Sequence, residues 1–137
     1  DGSQYSFSGS TGKINQEAWD GCPSGDVSLK FYGRDPAGSV YEEVIVKKDL
    51  IAPYFDISSP TQFQVFTATA PNYVLSSGDS DIASIWYALN GGSDFITDSL
   101  TGQIDQLIWN SLDNGTIVIE FFMRDDIGNV RSKTGEI

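Results

Sequence analysis

The chain has 137 residues, 39% of them hydrophobic and 12% aromatic, which supplies apolar material for one core of ordinary size. Its formal net charge of -11 makes nucleic acid and anionic lipid poor partners, because both carry charge of the same sign. The sequence contains no histidine and one cysteine, Cys22, which excludes the ordinary serine and cysteine triads and any disulfide within the chain. We therefore predict a protein that is not an enzyme.

Strand-forming residues are frequent along the chain, glycine and serine interrupt them every few residues, and no stretch keeps a helical period. These features predict an all-β protein. No apolar run reaches 18 residues, so we expect no direct membrane insertion by this segment, and any export signal would lie outside it.

In chain order, the first clear strand covers residues 27–34, with apolar side chains at alternate positions, and a turn with Asp35 and Gly38 leads to a second strand at 40–46. Residues 47–53 form a junction, because charges and Pro53 interrupt pairing there. Beyond it, the pattern predicts strands at 54–58, 63–69, 72–76, 82–90, near 95, at 103–109 and 116–124, and from 130 onward.

Part of this order is an internal repeat. Residues 11–40 align without a gap on residues 101–130, an offset of 90, and share these residues: Thr11/Thr101, Gly12/Gly102, Ile14/Ile104, Gln16/Gln106, Trp19/Trp109, Gly25/Gly115, Phe31/Phe121, Arg34/Arg124, Asp35/Asp125, Gly38/Gly128 and Val40/Val130. This period is too long for a solenoid and favours sandwich domains of about 100 residues.

The offset predicts that residues 1–48 are the C-terminal half of one repeat and residues 49–137 a second repeat whose last strand is truncated. Half a sandwich exposes its core face and its sheet edges. We therefore expect the first half to be completed by a neighbouring repeat, or by strand exchange with copies of the same chain.

The pattern resembles the immunoglobulin-like repeats of archaeal and bacterial cell-surface proteins, including those of Asgard archaea. The resemblance rests on the segment 85–92 with its Gly91-Gly92 turn, on Trp109, on the strand from Gly115 to Asp125, and on Gly128-Asn129. It implies immunoglobulin-like β-sandwich repeats and an extracellular or cell-surface location. It also implies a structural or adhesive role, as in a stalk, an S-layer or other lattice, or a filament.

Acidic residues fall in loops that an immunoglobulin-like sandwich would bring to one end of the domain. Calcium takes six to eight oxygen ligands, and a shared cation lowers the repulsion between carboxylates. The sequence therefore suggests a Ca²⁺ site that would stiffen the junction, although these residues would equally serve as solvated turn residues: Asp49, Asp79, Asp81, Asp125 and Asp126.

Two further residues suggest contacts with sugars. Trp86 alternates with Ile85, Tyr87 and Leu89, so it is predicted on the outer face, where it would either stack on a carbohydrate or pack against a neighbour. Asn114 begins an Asn-Gly-Thr glycosylation sequon on a turn. A carbohydrate-binding β-sandwich, or the accessory module of a secreted enzyme, is therefore the alternative to a structural repeat.

Overall fold

A computed structural model describes residues 4–137 and divides the chain into a first unit, which ends at Ile51, and a second unit, which begins at Ala52. The sequence placed this division between residues 48 and 49. Antiparallel sheets make up most of the regular structure of both units, which confirms the all-β prediction.

The first unit contains a short helix and a two-stranded antiparallel ribbon. In chain order these elements are α1 (Gln16–Asp20), β1 (Gly25–Asp35) and β2 (Gly38–Lys48). Helix α1 begins where the side chain of Asn15 accepts a hydrogen bond from the Ala18 N–H at 2.9 Å. One face of the ribbon carries Leu29 opposite Val44 and Val27 opposite Val46.

The second unit contains two sheets. Its elements are β3 (Phe55–Ser59), β4 (Asn72–Ser77), β5 (Ile82–Leu89), β6 (Phe95–Ile96), β7 (Thr101–Gln103), α2 (Gln106–Trp109), β8 (Val118–Asp125) and β9 (Val130–Glu136). One sheet has the strand order β3-β4-β7 and the other has the order β6-β5-β8-β9, and every pairing is antiparallel.

Side chains from both sheets form one core in the second unit. Tyr73 of β4 packs against Phe121 of β8 and Tyr87 of β5, with ring centroids 5.3 Å and 6.3 Å away. Ile85 and Leu89 are buried on the same face of β5, as the alternation in the sequence predicted. Burial of these rings and of the aliphatic side chains around them stabilises the unit.

The predicted strand at 103–109 is wrong. Strand β7 ends at Gln103, and Asp105 then begins α2 by accepting hydrogen bonds from the N–H groups of Leu107 and Ile108 at 2.8 and 3.1 Å. The prediction of a strand at 63–69 is also wrong, because no strand occurs between Ser59 and Asn72.

The two copies of the repeated hairpin differ in register by one residue. Phe31 lies opposite Glu42, whereas its counterpart Phe121 lies opposite Lys133, which the offset equates with residue 43. The first hairpin turns through residues 36 and 37 alone, and the second uses a longer loop with Gly128 at φ 100°. A slip of one residue turns every side chain of β2 to the other face relative to β9.

Candidate functional site

The first unit has an apolar groove between α1, the residues before it and one face of the ribbon. Its lining includes Ile14, Gln16 and Trp19, with Leu29 and Val46 contributed by the two strands. These side chains belong to the repeated segment or to the strand that follows it. The groove residues up to Leu29 can therefore be compared position by position with the second unit, whereas Val46 of β2 cannot, because of the difference in register.

The counterparts of Ile14, which lines the groove, and of Phe31, which follows Leu29 on the same face of β1, are covered in the second unit. Ile104 is 1% exposed and Phe121 is fully buried, whereas Ile14 is 49% exposed and Phe31 is 44% exposed. The apolar residues that the structure describes as buried all belong to the second unit. The first unit thus presents to solvent a face that the second unit uses as part of its core.

Lys48 of β2 binds the C-terminal end of α1, the helix that lines the groove. It is 7% exposed, and its ammonium group donates hydrogen bonds to the carbonyl oxygens of Trp19, Asp20 and Cys22 at 2.6, 3.2 and 2.8 Å. All three N–H bonds of the ammonium are used. Lys48 therefore completes the C-terminal end of α1, whose last carbonyls have no partner within the helix.

The acidic residues of the second unit have identifiable local roles. Asp81 and Asp125 have carboxylate oxygens within 4.8 Å of one another. Asp79 accepts a hydrogen bond from the Tyr54 N–H at 2.5 Å, and the Asp126 N–H donates to the Asp81 carbonyl at 3.1 Å. Calcium binding by these loops stays a prediction.

Asp49 belongs to the first unit, where its side chain accepts a hydrogen bond from the Ile51 N–H at 2.9 Å. The hydroxyl of Ser24 lies 3.5 Å from the same carboxylate oxygen. Within this unit, Asp49 therefore shapes the turn that follows β2.

Asp125 is almost fully buried at the end of β8 and organises the hairpin loop. One carboxylate oxygen accepts hydrogen bonds from the N–H groups of Ile127 and Asn129 at 3.1 and 2.8 Å, and the other accepts from Asn129 Nδ2 at 2.8 Å. Burial raises the pKa of Asp125, but the hydrogen bonds from Asn129, Gly128 and Ile127 together outweigh burial and hold the pKa below its ordinary value. Its counterpart Asp35 accepts from the Ala37 and Gly38 N–H groups, which confirms that both aspartates cap turns.

Trp86 is half-buried on the outer face of β5, directly opposite Phe122 of β8. The two rings are nearly parallel, with an interplanar angle of 2° and centroids 5.2 Å apart. At this separation the rings overlap in an offset stack. One face of each ring is therefore occupied by the other ring, and carbohydrate binding by Trp86 stays a prediction.

Asn114 is exposed in the loop before β8, and Gly115 follows it at φ 145°. This position is accessible to a glycosyltransferase, and its modification stays a prediction.

Comparison with known proteins does not assign the chain to a family. No family model, curated protein or solved structure matches it. Within residues 4–137, no helix is long and apolar enough to cross a bilayer.

Two functional residues escaped the sequence analysis. Gln16 was identified only as an identity in the repeat, and Lys48 was interpreted as one of the charges that interrupt pairing in the junction at residues 47–53. The alignment carried a signal for Gln16, since Gln16 and Trp19 recur together as Gln106 and Trp109. No local pattern marks Lys48, because its carbonyl partners lie 26 to 29 residues away.

Proposed function

We propose that this chain is a non-catalytic structural or adhesive module of an exported surface, stalk, lattice or filament protein. Its units are immunoglobulin-like sandwich repeats, and a neighbouring repeat supplies the strands that cover the open face of the first unit. The observation that supports this proposal most directly is the contrast between Ile14 and Phe31, which are exposed, and their buried counterparts Ile104 and Phe121.

An apolar face that is left open to water is unfavourable for the first unit. A two-stranded ribbon is marginal in water by itself and gains stability when an apolar face is packed against another layer. Leu29, Val44 and Val46 provide such a face, and Val44 is 47% exposed. Partner strands that covered it would contribute about 25 cal/mol for each Å² of apolar surface removed from water.

The internal offset defines the experiment. Residues 52–100 precede the repeated segment in the second unit, so a chimera that joins residues 52–100 directly to residues 11–137 gives the first unit the same preceding strands. We expect the first unit of this chimera to acquire a cooperative unfolding transition and slow amide exchange in β1. A first unit that unfolds and exchanges as in the parent chain would contradict the tandem-repeat proposal.

Two matched variants of the chimera locate the contact. Leu29→Lys places a charge on the face to be covered, and we expect it to abolish the new transition. Ile45→Lys, on the opposite face and 66% exposed, should leave the transition in place. Equal effects of the two variants would show that the added strands do not pack on the Leu29 face.

Exchange of strands between copies is a second route by which the same face would be covered. Sedimentation of the parent chain over a wide concentration range distinguishes the routes, because exchange between copies makes the mass depend on concentration. We expect a monomer whose mass does not change with concentration.

A further inference from the structure

In the second unit, Trp109 binds the backbone of a segment, residues 66–71, that belongs to no strand and bends at Ala68 and Thr69. Trp109 Nε1 donates a hydrogen bond to the Thr67 carbonyl at 2.9 Å. The ring of Phe66 meets the Trp109 ring edge to face, with centroids 6.2 Å apart. The indole therefore holds both a backbone carbonyl and the aromatic side chain that precedes it.

Gln106 binds the next residues of the same segment through both ends of its amide. Its Nε2 donates to the Ala68 carbonyl at 2.8 Å, and its Oε1 accepts from the Ala70 N–H at 2.9 Å. A side-chain amide that binds a carbonyl and an N–H in this way recognises the backbone of the segment, and the bonds do not depend on which side chains the segment carries. Ala70 is buried in this contact.

Gln16 and Trp19 repeat this pair in the first unit, at the same positions of a helix with the same kind of cap. Gln16 Nε2 donates to Asp20 Oδ1 at 2.7 Å, as Gln106 Nε2 donates to the side chain of its own i+4 neighbour at 2.7 Å. The amide is thus already oriented. Within residues 4–137, neither Gln16 Oε1 nor Trp19 Nε1 makes a hydrogen bond to a backbone group.

Ile14 corresponds to Ile104, which binds the C-terminal end of the segment 66–71 in the second unit. In the second unit the Ile104 N–H donates to the Pro71 carbonyl at 3.0 Å, and both residues are buried. Ile14 holds the same place beside the groove and is 49% exposed. Two side chains and one backbone N–H of the first unit therefore match groups that are engaged in the second.

We propose that the groove of the first unit binds a peptide segment of the type Phe-Thr-Ala-Thr-Ala-Pro, supplied by a neighbouring repeat and bent as residues 66–71 are in the second unit. Trp19 Nε1 donates to the carbonyl of the first threonine, and the indole packs against the phenylalanine ring. Gln16 binds the carbonyl of the first alanine and the N–H of the second alanine. The backbone N–H of Ile14 donates to the carbonyl of the proline. This inference rests on the proposed function, and it names the segment by which the neighbouring repeat is recognised.

A synthetic peptide of residues 61–73, added to the intact ¹⁵N-labelled chain, tests the assignment. The indole N–H signals are assigned from the variants Trp19→Phe, Trp86→Phe and Trp109→Phe. We expect the Trp19 signal to shift progressively as its N–H acquires an acceptor. The Trp109 signal should stay unchanged, because its own segment is tethered at high effective concentration.

Two variants test the mode of binding. Gln16→Ala should weaken the peptide about tenfold, because it leaves one carbonyl and one N–H of the peptide without partners. A peptide with Phe66→Ser should bind more weakly by a similar factor, because the aromatic anchor is lost. A Trp19 signal that does not move with the parent peptide, or that moves equally with the serine peptide, would overturn the proposal.

The source of the segment is tested with unlabelled chain in place of the peptide. We expect no shift of the Trp19 signal, because the segment of a second copy is bound by its own Trp109, and a shift as large as that caused by the peptide would overturn the assignment to a neighbouring repeat. If the chimera folds as proposed while the peptide fails, the groove proposal alone fails. If the peptide binds while the chimera does not stabilise the first unit, the tandem-repeat function alone fails.

Discussion

Trp19 and Trp109 occupy the same position of the same capped helical turn, 90 residues apart, and among the contacts of residues 4–137 only Trp109 donates its indole N–H to a backbone carbonyl. The turn itself is conserved between the copies. The backbone N–H of Trp19 donates to the backbone carbonyl of Asn15 at 3.0 Å, and the backbone N–H of Trp109 donates to that of Asp105 at 2.9 Å. The difference between the two tryptophans lies in what covers them, which makes the pair a natural comparison for measuring the effect of covering.

Substitution of the two tryptophans by phenylalanine should have unequal effects on stability. Trp109→Phe removes a buried hydrogen bond and part of a packed ring, so we expect the second unit to lose about 2 kcal/mol of unfolding free energy. Trp19→Phe, at a half-buried position of the first unit, should change the unfolding free energy of the second unit by less than about 0.5 kcal/mol. Urea unfolding of the second unit, followed by circular dichroism, compares the two variants, and equal losses would contradict the interpretation of the first unit as uncovered.

The glycines of the repeat offer a second matched pair. A Cβ on Gly102 would overlap the Tyr73 hydroxyl, and the buried Tyr73 ring is held between Tyr87, Phe121 and Thr97. We expect Gly102→Ala to destabilise the second unit by about 1–3 kcal/mol through overpacking.

The control for this substitution is Gly12→Ala, where the nearest atom, on the Phe7 ring, lies at an ordinary contact distance of 3.5 Å. We expect it to be nearly neutral in the same thermal or urea unfolding experiment. A tolerated alanine at residue 102 would mean that Tyr73 can move at little cost.

The hairpin loop of the second unit should lose stability in acid because of Asp125. Its pKa is lower in the folded chain than in the unfolded chain, so its contribution is complete above the unfolded pKa and is lost as the pH falls through the folded pKa. Asp125→Asn should reduce the acid dependence of the melting temperature below about pH 4.

The carboxyl carbon of Asp125 reports this titration directly by NMR. We expect its midpoint below that of an aspartate in an unstructured peptide. Asn129→Ala removes one of the two hydrogen bonds that Asn129 donates to the carboxylate, because the side-chain donor is lost while the backbone N–H remains. The midpoint should therefore move upward. A midpoint at or above the ordinary value in the parent chain would show that the hydrogen bonds to Asp125 do not outweigh the effect of its burial on the pKa.

Calcium binding by the acidic loops has a simple thermal test. A bound ion would raise the melting temperature with increasing Ca²⁺, EDTA would reverse the rise, and Asp81→Asn would diminish it. Mg²⁺ serves as the control, since it prefers a smaller and more regular ligand shell. A melting temperature that does not respond to Ca²⁺ would refute the calcium prediction.

The sequence predicted the strands well where alternation is long and one face is buried, as in β5 and β8. It failed at α1 and α2, because helices of five and four residues are too short to show a helical period. Asn15 and Asp105 carried the available signal, since both are preferred capping residues. The register of β1 with β2 was beyond sequence reasoning, because one residue in a turn decides it. The contacts of Lys48 were equally inaccessible, since they join residues distant in the chain.

Lys48 provides the last prediction, with its neighbour Lys47 as the control. Lys48→Met keeps the apolar stem but removes the ammonium group that serves the carbonyls of Trp19, Asp20 and Cys22, so the end of α1 loses its partners. We expect amide exchange at Gly21 and Cys22, whose N–H groups bond within this turn, to accelerate about thirtyfold, which corresponds to about 2 kcal/mol.

Lys47→Met changes the same charge at an exposed position and should leave these exchange rates unchanged. Equal acceleration in both variants would mean that the net charge of the ribbon controls the helix, and that the three hydrogen bonds do not. The distinction matters for the groove, because Gln16 and Trp19 lie on α1 and are oriented for a peptide only while that turn is closed.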